Sequence, residues 1–332
     1  MANSKKSIGT LLKASLIILL VGAVVFGVGT ALTAWSHKES NFTAQQFTEA
    51  NAPIEAFSID VTTRNVDIKY ADEFKVDYYN YDQSAIAVSF SGGELIVKEE
   101  VTKLPFPWFN LNWDWLKKID KEKTTVYIYL PESIANRSKI TAKTGNISVS
   151  DINFSQGFDI VSETGNVTLK NIAAAETVNL VSATGNVTLN NIAVTETVNL
   201  EFKTGNIKID GLTSKAFKLK SQTGNFDGKN ITAETVAVEV TTGSISADTM
   251  TADTVAFKTT TGKISFENLT ARITDASTKT GSIDGKFTGA KSEYDITVST
   301  TVGSSNVSNQ TVGQGKSIKV KVTTGKITLN FA

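Results

Sequence analysis

Residues 164–206 read TGNVTLKNIAAAETVNLVSATGNVTLNNIAVTETVNLEFKTGN, and this stretch decides the fold. Thr-Gly-Asn opens at Thr164, Thr184 and Thr204, a step of 20 residues. Outward from there, Thr-Gly also stands at 144–145, 223–224, 242–243, 261–262 and 280–281, the later steps being 19 residues. Val302-Gly303 and Thr324-Gly325 follow at steps of 22, which makes ten related units.

Each unit has the same grammar. The residues seven, five and three before the glycine are apolar or small, as in Val198, Leu200 and Phe202, or Val236, Val238 and Val240. Those two and four after it are apolar, as in Val187 and Leu189, or Ile264 and Phe266. A period of two means strands with one buried face. The seventh residue after the glycine is apolar again (Ile152, Ile172, Ile192, Leu212, Ile231, Met250, Leu269) and reads as a third inward position. Glycine fits the bend because it takes positive φ without steric cost. Asn follows it at 146, 166, 186, 206 and 225, where turn geometry and hydrogen-bonded Asn ladders suit it. One such unit cannot bury its apolar row alone, whereas a stack of them buries a continuous core. The predicted fold is therefore all-β: a β-solenoid, a β-helix-like roll, of about ten 19–22-residue coils over residues 137–332. At ~4.8 Å per coil the rod is ~50 Å long.

The zone 53–136 is β but irregular. FSIDV, NVDIKY, FKVDYYNY, AIAVSFS, ELIVKEE and TVYIYL read as strands, and Ser91-Gly92-Gly93 as a hairpin turn. Thr63-Arg64-Asn65-Val66 echoes the Thr-Gly-Asn-Val corner with Arg in place of Gly. The zone is expected to cap the solenoid, since terminal units of such arrays are atypical.

Ahead of it, Ala14–Ser36 is 23 residues without a charge, ASLIILLVGAVVFGVGTALTAWS. Roughly 20 apolar residues cross a bilayer core. Lys5, Lys6 and Lys13 precede it, which puts residues 1–13 in the cytoplasm and the C-terminal bulk outside. A cleaved signal peptide competes, but its apolar core should run only ~7–15 residues. One transmembrane helix over 14–36 is expected, then a polar linker over 37–52. Ala23, Gly27 and Ala31 form a small-residue ridge through which the span could dimerise.

Composition narrows the function. Lys plus Arg and Asp plus Glu are 33 each, so a globally basic nucleic-acid binder is not indicated. There is no cysteine and one histidine, His37, which removes thiol nucleophiles, zinc–thiolate sites and most triads. No catalytic, cofactor-binding or metal site is expected. The main rival is a glycan-active enzyme on a β-helix scaffold. Its carboxylates would come from Glu163, Glu176, Glu196 and Glu201, yet these are scattered. Glu176 and Glu196 stack, but the next equivalents are Lys215 and Glu234.

The opening IEAFSIDVTTRNVDIKY, the hairpin SGGELIVKE, the LPESI step and the serial TGNI/TGNV corners resemble a bacterial envelope family called putative adhesins. IILLVGAVVFGVG looks like the membrane segment of its Gram-positive members. The resemblance covers residues 50–332 and implies an extracytoplasmic β-solenoid linked to adhesion or envelope stress, with no catalytic residues to carry over.

Two surfaces stand out. The insert 104–119 begins LPFPWFNLNWDWL, with Trp108, Phe109, Trp113 and Trp115. It reads either as a lid over the open first coil or as an element touching lipid or a partner. The last coil carries Lys316, Lys319, Lys321 and Lys326, with no acidic residue after Asp295. Lysine on an exposed edge blocks strand addition, and the alternative is contact with an anionic envelope polymer. The expected protein is a single-pass, extracellular binding or scaffold protein whose partners are the membrane and a cell-wall polymer or envelope protein.

Overall fold

A computed structural model describes residues 42–48, 53–81, 84–101 and 121–332. The predicted membrane span, the Ala23–Gly27–Ala31 ridge and the aromatic insert with Trp108, Phe109, Trp113 and Trp115 lie outside the described residues. No helix among the described residues is long and apolar enough to cross a membrane.

The described chain is the β-solenoid read from the repeat. Strands β9 (Ser138–Thr144), β10 (Ile147–Phe154), β11 (Phe158–Thr164), β12 (Val167–Ala174) and β13 (Thr177–Thr184) wind the first coils. Five long strands follow, β14 (Val187–Thr204), β15 (Ile207–Thr223), β16 (Phe226–Thr242), β17 (Ile245–Thr261) and β18 (Ile264–Thr280), each running from one glycine corner to the next. Successive coils pair in parallel and in register: Val187 with Ile207, then Phe226, then Ile245, then Ile264. The change of period from 20 to 19 residues has one location. Between Val194 and Thr197 the pairing slips, and Lys215 alone spans the bend that Thr195-Glu196 spans in the coil before.

All ten corner glycines have φ between +140° and +153°. Stacking enforces glycine as much as φ does, because a Cβ at each would run into the corner carbonyl of the adjacent coil. A second bend lies six residues after each early corner. Asp151, Asn171, Asn191, Asn230, Thr249 and Asn268 all take φ near +55°, and Gly211 takes +80°. This left-handed residue lets two consecutive side chains face outward and resets the alternation, so the apolar residue that follows points inward. Ile152, Ile172, Ile192, Leu212, Ile231, Met250 and Leu269 are accordingly all buried. Bulky and small core residues compensate: Gly285 leaves the space occupied by the Phe266 ring.

The asparagine after each corner closes a ladder, but not between side chains. The Oδ1 of Asn146, Asn166, Asn186 and Asn206 accepts the backbone N–H of the next corner asparagine at 2.9 Å. Asn65 starts the ladder by accepting from the Asn146 N–H at 2.8 Å, so the Arg64-Asn65 echo is a true corner.

At both ends the spatial order departs from chain order. β2 (Ala56–Val61) lies between β9 and β6 (Glu94–Val101), and β3 (Asn65–Tyr70) between β10 and β7 (Thr125–Leu130). The coil outside the Arg64 corner is therefore β6–β7, whose connecting residues lie outside the described ones. The next layer runs antiparallel. β4 (Lys75–Asn80) pairs with β7, and β5 (Ser84–Ser91) pairs with β6 through the Gly92-Gly93 turn. At the other end, β18 continues past Gly281 into β19 (Ile283–Phe287) and a short 3-10 turn over Lys291–Glu293. β20 (Tyr294–Val302) is then laid outermost. β21 (Lys316–Thr324) returns between β18 and β20, and β22 (Ile327–Phe331) pairs with β19.

One expectation is corrected. β21 is an interior strand, so Lys316, Lys319 and Lys321 do not protect an edge: the chain overshoots to β20 and comes back. Lys326, after the Gly325 corner, is likewise inside the Val302–Ser304 corner, whose carbonyls accept the Gly325 and Ile327 N–H groups. The polar linker contains one strand. Thr43–Phe47 forms β1, antiparallel to β4, although only Phe47 in it is partly buried, so main-chain pairing rather than an apolar row holds it.

Candidate binding surfaces

The N-terminal end is organised by Arg64, which is 1 % exposed. Among the described residues, no glycine corner stacks outside Arg64, and its guanidinium reaches Ser84 and Lys123 there. Its Nε and Nη2 donate to the Ser84 hydroxyl and carbonyl at 3.2 and 3.1 Å, and Nη1 donates to the Lys123 carbonyl at 3.0 Å. The Tyr81 ring covers it at 4.1 Å, and the Glu99 carboxylate stands 3.6 Å away. Burial lowers the Arg64 pKa from the ordinary guanidinium value, against the pull of Tyr81 and Glu99. Glu99 also accepts the Thr62 and Thr63 N–H groups at 2.6 Å each and the Ser84 hydroxyl at 2.6 Å. The sequence reading saw an arginine in a glycine's place but not this network, since Glu99 and Ser84 arrive from a separate hairpin.

Arg64 thereby ties together the two roots of the aromatic insert. Ser84 is the cross-strand partner of Val101, where the insert begins, and Lys123 follows its end. Phe42, which follows the predicted span by six residues, packs at the same place. Its ring lies 5.3 Å from that of Tyr81 and 5.5 Å from Lys123 Nζ. The route from the predicted span and the roots of the insert converge on one end of the rod.

Beside them is an open concavity of about 580 Å³, lined by Gln45, Gln46, Asp77, Tyr79, Tyr127 and Tyr129 among others. Lys69 and Lys75 lie over the Tyr129 ring at 5.0 and 4.4 Å. Each is balanced by a carboxylate, Lys69 by Asp67 at 4.0 Å and Lys75 by Asp77 at 2.9 Å. The Asp77 hydrogen bond raises the Lys75 pKa. A second shallow concavity, of about 400 Å³, runs along the left-handed bend past Asp151, Asn171 and Asn191. There Asn171 donates to Asp151 at 2.6 Å and Asn191 to Asn171 at 2.9 Å.

The four candidate lysines are divided by the fold. Lys319 and Lys321 are exposed on the outer face of β21, while Lys326 is exposed on the far side of the Gly325 corner. Lys316 is engaged: it pairs with Glu293 and lies 5.4 Å from the Tyr294 ring centre. The outward side chains form columns across coils. One runs Glu201, Lys220, Glu239, Lys258, Ser277, Lys321, Ser299, and within it Lys258 pairs with Glu239 at 2.7 Å. Among the carboxylates weighed for chemistry, Glu176 lies 3.6 Å from Arg137 and Glu196 lies 3.5 Å from Lys215. No cluster of metal-ligating side chains occurs among the described residues.

A family model described as Toastrack DUF4097 matches residues 54–234 and 216–332. No curated protein matches. Three solved structures are similar. A putative adhesin from Bacteroides fragilis shares 14% identity at a TM-score of 0.41, with 87% of this chain and 97% of that one covered. A putative lipid binding protein from Parabacteroides distasonis shares 13% at 0.41, covering 74% and 95%. A putative cell adhesion protein from Clostridium sporogenes shares 10% at 0.27, covering 88% and 100%.

Proposed function

The chain belongs to the Toastrack DUF4097 family, and from that premise we propose that it is a membrane-anchored, extracytoplasmic binding and scaffold rod of a Gram-positive cell envelope. Each coil sets its outward side chains in register with the next, as in the column through Lys258, Ser277, Lys321 and Ser299, and this observation carries the reading. Such columns offer many weak, equally spaced contacts, which suit an extended polymer better than a small molecule. The ligand we favour is an anionic wall polymer meeting Lys319 and Lys321.

The tether enters at the N-terminal end. Residues 14–36 cross the membrane with the N-terminus inside, and the insert bearing Trp108, Phe109, Trp113 and Trp115 touches the membrane beside the anchor. The convergence of Phe42 and Lys123 supports that placement. Envelope-stress sensing would follow from occupancy of the rod being read by a neighbouring envelope protein.

The reading is non-catalytic. A glycan-cleaving enzyme would need a paired acid and base. Glu176 and Glu196 are instead partnered by Arg137 and Lys215. The test is co-sedimentation of the full chain, in detergent, with cell-wall sacculi that carry or lack their anionic polymer. Binding should depend on the polymer and fall at least tenfold in Lys319→Glu/Lys321→Glu. Polymer-independent binding with release of soluble sugar fragments would overturn the reading in favour of the enzyme.

A further inference from the structure

Every aromatic ring of the coils faces the core: those from Phe154 to Tyr294 are buried, and Phe331 packs against the same core. β7 breaks that rule. Its inward residues Val126, Ile128 and Leu130 are fully buried, and the outward positions between them hold Tyr127 and Tyr129, both half-buried. The column through Tyr127 continues as Asp67, Ser148, Thr168 and Thr188, so the fold itself asks for no ring there. Six of the seven tyrosines lie before residue 130. Four of them, Tyr78, Tyr79, Tyr127 and Tyr129, line the concavity of about 580 Å³ beside Gln45 and Gln46 of β1.

Three features select the occupant. The first is a ring fixed in advance. Lys69 and Lys75, the cross-strand partners of Tyr129 on β3 and β4, lie 5.0 and 4.4 Å from its centre, so little side-chain freedom is lost on binding. The second is charge closed within the wall. Asp77 holds the Lys75 ammonium at 2.9 Å and accepts from the Gln46 amide at 2.7 Å, while Asp67 stands 4.0 Å from Lys69. These pairs match an uncharged ligand better than an ionic one. The third is the lining itself. Among the described residues, Ala44 is its one aliphatic member, so an acyl chain finds no apolar floor. Phenol rings instead combine an apolar face with a hydroxyl that both donates and accepts.

We propose that this concavity is a binding site for an uncharged, extended glycan. Its C–H faces pack on the tyrosine rings, and its hydroxyls exchange hydrogen bonds with the phenols and the glutamine amides. The site lies at the opposite end of the stack from Lys319 and Lys321 and does not depend on their contact with an anionic polymer.

Chitohexaose and cellohexaose are the probes, titrated calorimetrically into the full chain in a detergent whose headgroup is not a sugar. At least one should bind, at one site per chain. Tyr127→Thr substitutes the residue that the coils carry in the same column, and it should weaken binding at least tenfold with the melting temperature little changed. Ala44→Trp fills the concavity from an exposed position of β1 and should do the same without touching β7. Lys319→Glu/Lys321→Glu should leave glycan binding unchanged, and Tyr127→Thr should keep its polymer-dependent binding to sacculi, so the two readings fail separately. No binding of either probe overturns the proposal. So does binding that survives both Tyr127→Thr and Ala44→Trp, or that falls with the two lysines. Binding that appears only after residues 102–120 are replaced by a Gly-Ser bridge also overturns it, because the chain's own segment would then fill the concavity.

Discussion

A Cβ placed on Gly185 would lie 2.6 Å from the carbonyl carbon of Gly165 in the adjacent coil. The obstacle is backbone, so no rotamer change relieves it, and the same relation recurs along the whole corner column. Gly185→Ala combines a forbidden φ with an overlap that must spread the coils. It should destabilise by ~3 kcal/mol or more. Gly211 is the contrast. It occupies the second bend with φ of +80°, and its nearest neighbours stand at an ordinary 3.4 Å. Asn fills that position in the flanking coils, so Gly211→Asn should change stability by less than ~1 kcal/mol. Thermal melts of the two variants check the pair, and equal shifts would contradict the steric account.

Arg64 and Glu99 form an ion pair with side chains 1 and 0 % exposed. Breaking such a pair from one side strands the other charge. Glu99→Ala should therefore cost ~3–5 kcal/mol. The Arg137–Asp159 pair is closer, at 2.8 Å, but its side chains are 38 and 27 % exposed. Solvent screens it, and Arg137→Met should cost less than ~1 kcal/mol. Denaturant unfolding of both variants gives the comparison, and the reverse ranking would contradict it.

The segment that leads from β20 back into β21 straps the outer edge of β20. Ile296 exchanges both main-chain hydrogen bonds with Gln310, at 2.8 and 3.0 Å, and the Val298 N–H is taken by Asn309 Oδ1 at 2.7 Å. This strap should respond to acid. Backbone donation from Gly313 and Val312 holds the Asp295 carboxyl below its ordinary range. A depressed folded-state pKa means the contribution is complete above the unfolded value of ~3.9 and is lost as pH falls through the lowered folded value. Amide exchange over residues 306–313 should stay slow at neutral pH and quicken only well below pH ~4. Asp295→Ala should give fast exchange there at neutral pH, while Asp295→Asn, which keeps an acceptor, should be intermediate. Unchanged protection in Asp295→Ala would show that Gln310 and Asn309 hold the strap alone.

Much of the solenoid was legible because its constraints are local. Corner glycines and inward apolar positions are dictated by sterics within one unit and by the period of two. The second bend was equally local and was missed: Asn171, Asn191, Asn230 and Asn268 each stand six residues after a corner glycine, and their polar type reads as an ordinary outward residue until φ is known. What sequence could not reveal was the order of coils in space. Ile296 and Val298 on β20 alternate just as Ile318 and Val320 do on β21, so nothing local says which strand lies against β18. The same degeneracy hid the position of β2 inside β6. β1 was illegible for another reason, since Thr43–Phe47 carries no apolar row. Of the candidate surfaces, the lysines were found but their coil was read as the open edge, which β20 occupies instead, and the Arg64–Glu99 junction joins segments 35 residues apart with no motif to connect them.

Topology is the measurement closest to the central claim, an extracytoplasmic rod tethered at its N-terminal end. In the cysteine-free chain, Lys229→Cys places a thiol at an exposed position of β16, away from Lys319 and Lys321, and Ser4→Cys places one before the apolar stretch. Intact cells treated with a membrane-impermeant maleimide should label Lys229→Cys fully. Ser4→Cys should be labelled only after permeabilisation, and the Lys229→Cys protein should retain its full mass and sediment with membranes. Labelling of Ser4→Cys in intact cells, protection of Lys229→Cys, or a soluble chain shortened by the N-terminal 30 or so residues would contradict the account.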